Sequence, residues 1–375
     1  MAVLELRASG LYCPAGDFHI DPWRPVDRAI LTHAHADHAR RGHGRYLAQR
    51  DALGVLRTRL GDVEIDAIGY REPVVIGGAR VSLHPAGHVL GSAQVRVEVA
   101  GEIWVVTGDY KLDSDPTCAP FEPVRAHTLI TESTFGLPVY RWATPAQLAG
   151  EIDEWWRRNA ELGRASVVFA YAFGKAQRIL AGVDASIGPI VCHGAVETLN
   201  RRYREAGVAL PPTMMVSDLT DAAERKRLGR ALVVAPPSAQ STPWMRRFPD
   251  PSDAFASGWM QLRGARRRRG VDRGFVMSDH ADWPGLNRAI EASGAHCVYA
   301  THGYSASLAR YLTERGLDGR TFDTREFDAQ YGGDADDTSA ADLASASASS
   351  AQGSAQPEPP TQLPLHAVRD ASDDA

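Results

Sequence analysis

The run Thr32-His33-Ala34-His35-Ala36-Asp37-His38-Ala39 sets four metal-competent side chains within six residues. Neutral imidazole nitrogens and carboxylate oxygens are ligands that zinc accepts, so this spacing points to one or two bound divalent metals. The plainer reading, a His-rich surface loop, fits the position poorly, because the run directly follows an apolar strand, Arg28-Ala29-Ile30-Leu31. Further candidates recur just after other apolar runs: His88 in Pro85-Ala86-Gly87-His88, Asp109 in Thr107-Gly108-Asp109-Tyr110, and His302 in Thr301-His302-Gly303. Each alone would pass for a turn or capping residue. Together with Gly87, Gly91, Gly108 and Gly303, which allow tight turns, they suggest ligands gathered at one edge of a sheet. Seven ligands exceed what one tetrahedral zinc needs and suit two metals sharing a carboxylate. Asp21, in His19-Ile20-Asp21-Pro22, is expected to orient a ligand or the loop that carries it. His19, His43 and His84 read as ordinary surface or supporting residues.

The segments around these groups fall into an α/β pattern. Val81-Ser82-Leu83, Val95 to Val99, Ile103 to Thr107 and Thr128 to Thr131 read as strands, with no long helix between the middle ones. The first 135 residues therefore suggest a mixed, sandwich-like sheet arrangement. After Pro138 the pattern changes: Thr144-Pro145-Ala146-Gln147 supplies an N-cap, a first-turn proline and a capping-box Gln, and Leu148, Ile152, Trp155 and Trp156 form a helical apolar face. Strands and helices then alternate to about Leu262, the signature of a parallel α/β unit. From Gly274 to Phe327 the earlier style resumes, with strands expected at Phe275-Val276-Met277 and Cys297 to Ala300. The expected organisation is a first domain over 1–137 and 273–331, a second one inserted at 138–272, and an acidic tail at 332–375.

Of the chain's 375 residues 44% are hydrophobic, ample for a core, and no run approaches the roughly 18 apolar residues of a membrane span. The N-terminus lacks a secretory pattern, so a cytoplasmic location is expected. Cys13, Cys118, Cys192 and Cys297 never form a C-x-x-C pair and read as buried thiols in a reducing compartment. From Tyr331 onward eight acids face one base, a net −7, which against the chain's −5 leaves +2 on the body. That tail, with its Ala-Ser repeats and few large apolar residues, is expected to be disordered. The mildly basic body permits a polyanionic substrate.

The set His33-x-His35-x-Asp37-His38 with His88 and Asp109 resembles the metallo-β-lactamase superfamily. Glu132 in Thr131-Glu132-Ser133-Thr134, His280 in Ser278-Asp279-His280-Ala281-Asp282 and His302 match the three added motifs of its β-CASP nucleases. The resemblance runs from about Leu4 to Tyr331. It implies a lactamase-type αββα sandwich with an inserted α/β cap, and a zinc-dependent nuclease. More narrowly, Phe18 to Ala39, Pro85 to Gln94 and Phe173-Gly174-Lys175-Ala176-Gln177-Arg178 are similar to the bacterial ligase-associated DNA exonucleases, which implies DNA-end processing or repair beside an ATP-dependent DNA ligase and a helicase. One departure stands out: His302 follows the pattern of RNA-directed members, where the DNA-directed eukaryotic ones carry an apolar residue. RNA processing is therefore the close alternative, and a small-molecule metallohydrolase or a degenerate binding module are more distant ones.

By carry-over from that resemblance, His33, His35 and His88 hold one zinc, Asp37, His38 and His302 the other, and Asp109 lies between, with manganese as an alternative metal. The pair would activate water for attack on a phosphodiester, so Asp37 counts also among the catalytic residues. His280, paired with Glu132, is the candidate general acid; a helix-capping role before Pro284 is the competing one. For nucleic-acid contact, Arg263, Arg266, Arg267, Arg268, Arg269 and Arg273 offer guanidinium groups just before His280, either gripping phosphates or forming a solvated face. Lys175, Gln177 and Arg178 open a helix after Gly174, where an anion is favoured. Trp244, Phe248 and Trp259 could stack bases, though core packing is the stronger reading.

Overall fold

The computed structural model describes residues 2–219, 226–248, 250–264 and 270–322. The arginines at 266–269 and the acidic tail lie outside the described residues. The architecture is mixed α/β, as the strand and helix patterns predict. Six strands form a first sheet in chain order: β1 Glu5–Arg7, β2 Gly10–Cys13, β3 Phe18–Ile20, β4 Arg28–Ile30, β5 Arg45–Gln49 and β6 Ile65–Ile68. The first three pair antiparallel and β3 to β6 pair parallel.

A second sheet takes β7 Pro73–Ile76, β8 Ala79–Pro85, β9 Ala93–Val99, β10 Glu102–Val106 and β11 Thr128–Glu132. Period-two alternation sets its faces: Val95 and Val97 are fully buried, opposite Leu83 and Val81, while Arg96 pairs with Glu98 on the other side. Phe18, Ile20 and Ile30 from the first sheet and Val81, Leu83, Val95, Val97 and Ile130 from the second share one core, so the two sheets pack face to face.

Helix α1, Leu53–Leu60, covers the outer face of the first sheet through Val55 and Leu56. Next come α2 Pro145–Glu161, α3 Lys175–Gly182 and α4 Gly194–Glu205, interleaved with β12 Ser166–Phe169, β13 Ile190–Cys192, β14 Leu232–Ala235, β15 Ser252–Ala256 and β16 Arg273–Phe275. These strands make a third, wholly parallel sheet in the order β13-β14-β12-β15-β16. Buried on both faces, they are apolar at nearly every position. The capping box expected at Thr144 and Gln147 starts α2. Trp156, fully buried beneath α2, donates its indole N–H to the Arg230 carbonyl at 2.9 Å.

β16 departs from expectation. The strand foreseen at 275–277 begins two residues earlier and pairs with β15, Ala256 opposite Phe275, so the third sheet extends past residue 272. Residues after Phe275 leave the sheet and carry Asp279 and His280 towards its C-terminal edge. The chain then returns to the second sheet with α5 Trp283–Ser293, β17 Cys297–Thr301, α6 Ser305–Glu314 and β18 Asp318–Thr321, giving the sheet order β18-β17-β11-β10-β9-β8-β7. Ile290 of α5 and Leu308 and Leu312 of α6 pack on Val105, Leu129 and Val298 of its outer face. Trp244, Phe248 and Trp259 belong to the core on one face of the third sheet, in keeping with the packing role. Cys13, Cys192 and Cys297 are buried and all four thiols are free. Among the described residues no helix is long and apolar enough to cross a membrane.

Candidate metal centre

Three neighbouring parallel strands, β10, β11 and β17, end at one edge of the second sheet. Their continuations supply Asp109, Glu132 and His302, and the Glu132–Thr301 register sets the last two side by side. The loop after β8 brings His88 to the same edge, and the loop after β4 brings His33, His35, Asp37 and His38 from the facing sheet. Such close approach requires glycine at Gly108, whose φ is +55° and where a Cβ would stand 2.6 Å from the Thr32 Cβ. His302 itself takes a left-handed φ of +57°, an uncommon backbone state outside glycine that the adjoining Gly303 turn sustains.

His33, His35, His88 and Asp109 are all buried, with ligand atoms within 4.8 Å of one another. Asp109 Oδ2 lies 3.4 Å from His33 Nε2, 3.7 Å from His88 Nε2 and 3.6 Å from His38 Nε2, and His88 Nε2 lies 3.0 Å from His35 Nδ1. A tetrahedral ion with bonds of about 2.0–2.1 Å has ligand-to-ligand edges of about 3.4 Å, close to these separations. Asp37 Oδ2 stands 3.5 Å from His38 Nε2, and the His302 ring lies 5.7 Å from the His38 ring, centre to centre. One carboxylate oxygen thus faces both halves of the cluster.

Hydrogen bonding aims the rings inward. Thr32 Oγ1 donates to Asp21 Oδ2, so it accepts from His33 Nδ1 at 3.1 Å and leaves His33 Nε2 facing the cluster, buried and without a hydrogen-bond partner. His38 Nδ1 donates to Asp21 at 2.7 Å, His88 Nδ1 to the Asp279 carbonyl at 2.9 Å, and His35 Nε2 to the Phe173 carbonyl at 3.4 Å. Thr301 Oγ1, itself donating to the Thr131 carbonyl, accepts from His302 Nδ1 at 3.0 Å. Each ring therefore has one nitrogen tied outward, which favours the tautomer whose remaining lone pair points in, as metal ligation needs. The donor set fits a metal centre.

Electrostatics agree at His33 and His88, whereas His38 is held protonated and would have to give up that proton to a bound cation. Burial, reinforced by neighbouring imidazoles, holds His33 and His88 well below the usual histidine range, and hence neutral. Burial pushes Asp109 up to about 7, the Glu132 and Asp37 carboxylates adding to it against His38 and His280. For Asp37 burial works upward too, yet His38, His35 and His302 bring it down to about 2. His38 stands well above its ordinary value, because Asp37, Asp109 and Asp21 outweigh the burial that would lower it. A cluster holding this much unbalanced charge in a dry site is what a bound cation would relieve.

His280 lies at the rim, its Nδ1 donating to Glu132 Oε2 at 2.9 Å and standing 4.0 Å from Asp109 Oδ2. Glu132 Oε1 accepts the Tyr110 N–H at 2.8 Å. Although burial would raise the Glu132 carboxyl, His280 holds it below the usual range. Asp109, Glu132 and His280 also form a second potential ligand group. A cleft lined by Asp37, His38, Asp109, Glu132 and His302 opens beside them.

The expected phosphate contacts at Lys175 and Arg178 are corrected by the structure. Lys175 is 3% exposed and Arg178 8% exposed, both too deep to meet a polyanion. Lys175 Nζ lies 3.4 Å from Asp279 Oδ2 and sits over the Tyr171 ring; Arg178 Nη2 lies 2.6 Å from Asp115 Oδ2, with Nε 3.4 Å from Asp279 Oδ1. Burial against acidic partners uses up the charge that α3 seemed to offer. Gln177 is buried as well, its amide spanning the Ala172 carbonyl and Asn200.

Thr32, Asp115 and Asp279 have no role assigned from sequence. Thr32 and Asp279 do lie inside the runs already singled out, so adjacency to His33 and His280 was the available signal. Asp115 carried none, because its partner Arg178 is distant in sequence.

No family model matches the chain. It is 32% identical over 314 residues to a probable DNA ligase of Opitutus terrae, an alignment covering 82% of this chain and 30% of that protein. It is 26% identical over 220 residues to the endoribonuclease YSH1 of Mycosarcoma maydis, covering 41% and 25% of the two chains. With the cleavage and polyadenylation specificity factor subunit 3 of Dictyostelium discoideum it shares 31% identity over 125 residues, 32% of this chain and 16% of that one. These similarities are in keeping with the resemblance to the β-CASP group of the metallo-β-lactamase superfamily. It spans less than a third of the length of these curated relatives. A solved structure of an Enterococcus faecalis V583 protein of unknown function superposes with a TM-score of 0.53 at 12% identity, over 79% of this chain and 78% of the other, a likeness of fold alone.

Proposed function

We propose that this protein is a zinc-dependent phosphodiesterase that trims nucleic-acid ends, with DNA as its substrate. The observation that carries the reading is the position of Asp109 Oδ2, within 3.4–3.7 Å of His33, His38 and His88 at once, with His280 on Glu132 at the rim. His33, His35 and His88 would hold one zinc and Asp37, His38 and His302 a second, Asp109 serving both; manganese is the alternative occupant. Two such ions supply an activated water and positive charge against the phosphoryl oxygens.

The chain's own groups do the rest. Asp21 and Thr32 keep His33 and His38 aimed. Glu132 fixes the His280 ring through Nδ1, which leaves Nε2 as the atom from which a proton reaches the departing oxygen. In this reading the two facing sheets and their flanking helices form the αββα sandwich, built among the described residues from 2–137 and 276–322. The third sheet is the core of an inserted cap, starting at 138 and extended to Phe275 by the β16 pairing.

The likeness to a probable DNA ligase supports DNA-end processing, with an ATP-dependent ligase and a helicase as the partners to test. RNA is the second reading, favoured by His302 and by the endoribonuclease relatives. Incubation with end-labelled DNA and RNA of matched sequence, labelled at each end in turn, with and without chelator, decides between them. Chelator-sensitive ladders on DNA are expected. Cleavage of RNA alone would replace the substrate, and cleavage unaffected by exhaustive metal removal would refute the mechanism.

A further inference from the structure

The buried ion pairs of α3 touch two site loops at once. Arg178 Nη2 donates to the His88 carbonyl at 3.0 Å and is anchored by Asp115 at 2.6 Å. Its Nε faces Asp279 Oδ1, and Lys175 Nζ faces Asp279 Oδ2, each at 3.4 Å. Asp279 returns the link, since its main-chain carbonyl accepts from His88 Nδ1 at 2.9 Å. His88 is therefore gripped at its carbonyl by Arg178 and at its ring by Asp279, the residue whose carboxylate Arg178 faces. Asp279 also immediately precedes His280, whose amide N–H donates to Ser278 Oγ at 3.0 Å.

From this we infer that Arg178, with Asp279 and Lys175, is a positioning cluster: through the Asp279 carbonyl it sets the tautomer and angle of His88, and through the chain it sets the place of His280. This rests on the metal-centre reading above and names residues that act on it without touching substrate. A carbonyl that fixes a ligand's ring has the same task as the outward partners that tune metal-bound histidines elsewhere, where losing one costs about 10–100-fold in metal affinity or activity. Burial makes the cluster stiff. All three side chains are at most 8% exposed, so an ion pair cannot be traded for water as one at the surface can.

Asp279→Asn keeps the main-chain carbonyl and the side-chain shape but removes the charge that Lys175 and Arg178 hold. The measurement is zinc affinity of the purified full chain, by competition with a chromophoric chelator, alongside thermal unfolding of the metal-free protein. The expected result is at least a tenfold loss of zinc affinity, with Asp279→Glu recovering part of it. Because a buried Lys175 left without its carboxylate can prevent folding, the matched neutral pair Lys175→Met with Asp279→Asn is measured too, and the same loss is expected. Zinc affinity within threefold of the parent in a folded variant overturns the inference. So does a loss that tracks the fall in metal-free melting temperature without rescue by glutamate, since that marks a purely structural role. Failure of the parent chain to bind zinc at all refutes the metal-centre reading instead, which keeps the two failures distinct.

Discussion

His280→Gln probes the proton-transfer step most directly. The ring donates from Nδ1 to Glu132 at 2.9 Å and stands 4.0 Å from Asp109, with its side chain 16% exposed. Loss of a positioned general acid slows a reaction by about 10²–10⁴, or about 3–5 kcal/mol in the barrier. The size of that effect should depend on how much the departing oxygen needs a proton. An alkyl oxygen with a high pKa leaves only with protonation, whereas p-nitrophenolate leaves without it. Single-turnover cleavage of an oligonucleotide should therefore fall by about 10²–10⁴, while hydrolysis of a p-nitrophenyl phosphodiester changes by less than about tenfold and the metal content stays at the parent level. An equal fall for both substrates would refute the assignment of His280 as acid. Loss of metal would instead make His280 a ligand, in the group it forms with Asp109 and Glu132.

Trp156→Ala removes a fully buried indole from the core beneath α2 and strands the Arg230 carbonyl, so denaturant unfolding should show a loss of about 3–5 kcal/mol. Cys192 is 1% exposed and burial pushes its thiol up to about 12; it should resist a maleimide at pH 8 in the native chain and react once denaturant is added, and rapid native labelling would contradict that burial. Converting Arg266 to Arg269 into Ala should weaken binding to duplex DNA and reduce the slope of log affinity against log salt by about 0.9 for each phosphate no longer neutralised. An unchanged slope in filter-binding titrations would make that run a solvated face.

Which residues could ligate a metal, and roughly where the sheets lie, was legible in the chain before any fold was known. His33, His35, Asp37 and His38 are local in the chain, and tight local spacing survives any fold. The strands of the second sheet were legible because one face meets the core and the other does not, which writes a period of two into the residues. The capping box of α2 was legible for a similar reason, since its hydrogen bonds close within four residues. Where buried charge ends up is a different matter, settled by contacts across the fold. Lys175 and Arg178 look like free cations at a helix start, and only the approach of Asp115 and Asp279, remote in sequence, turns them inward to neutral, dry pairs. The same holds for the place of β16: a short apolar run carries no mark of which sheet it will join, because pairing depends on the neighbour that reaches it first in space, here β15. Residue types fix what chemistry is available; long-range contacts, which no local pattern encodes, fix which groups remain available to perform it.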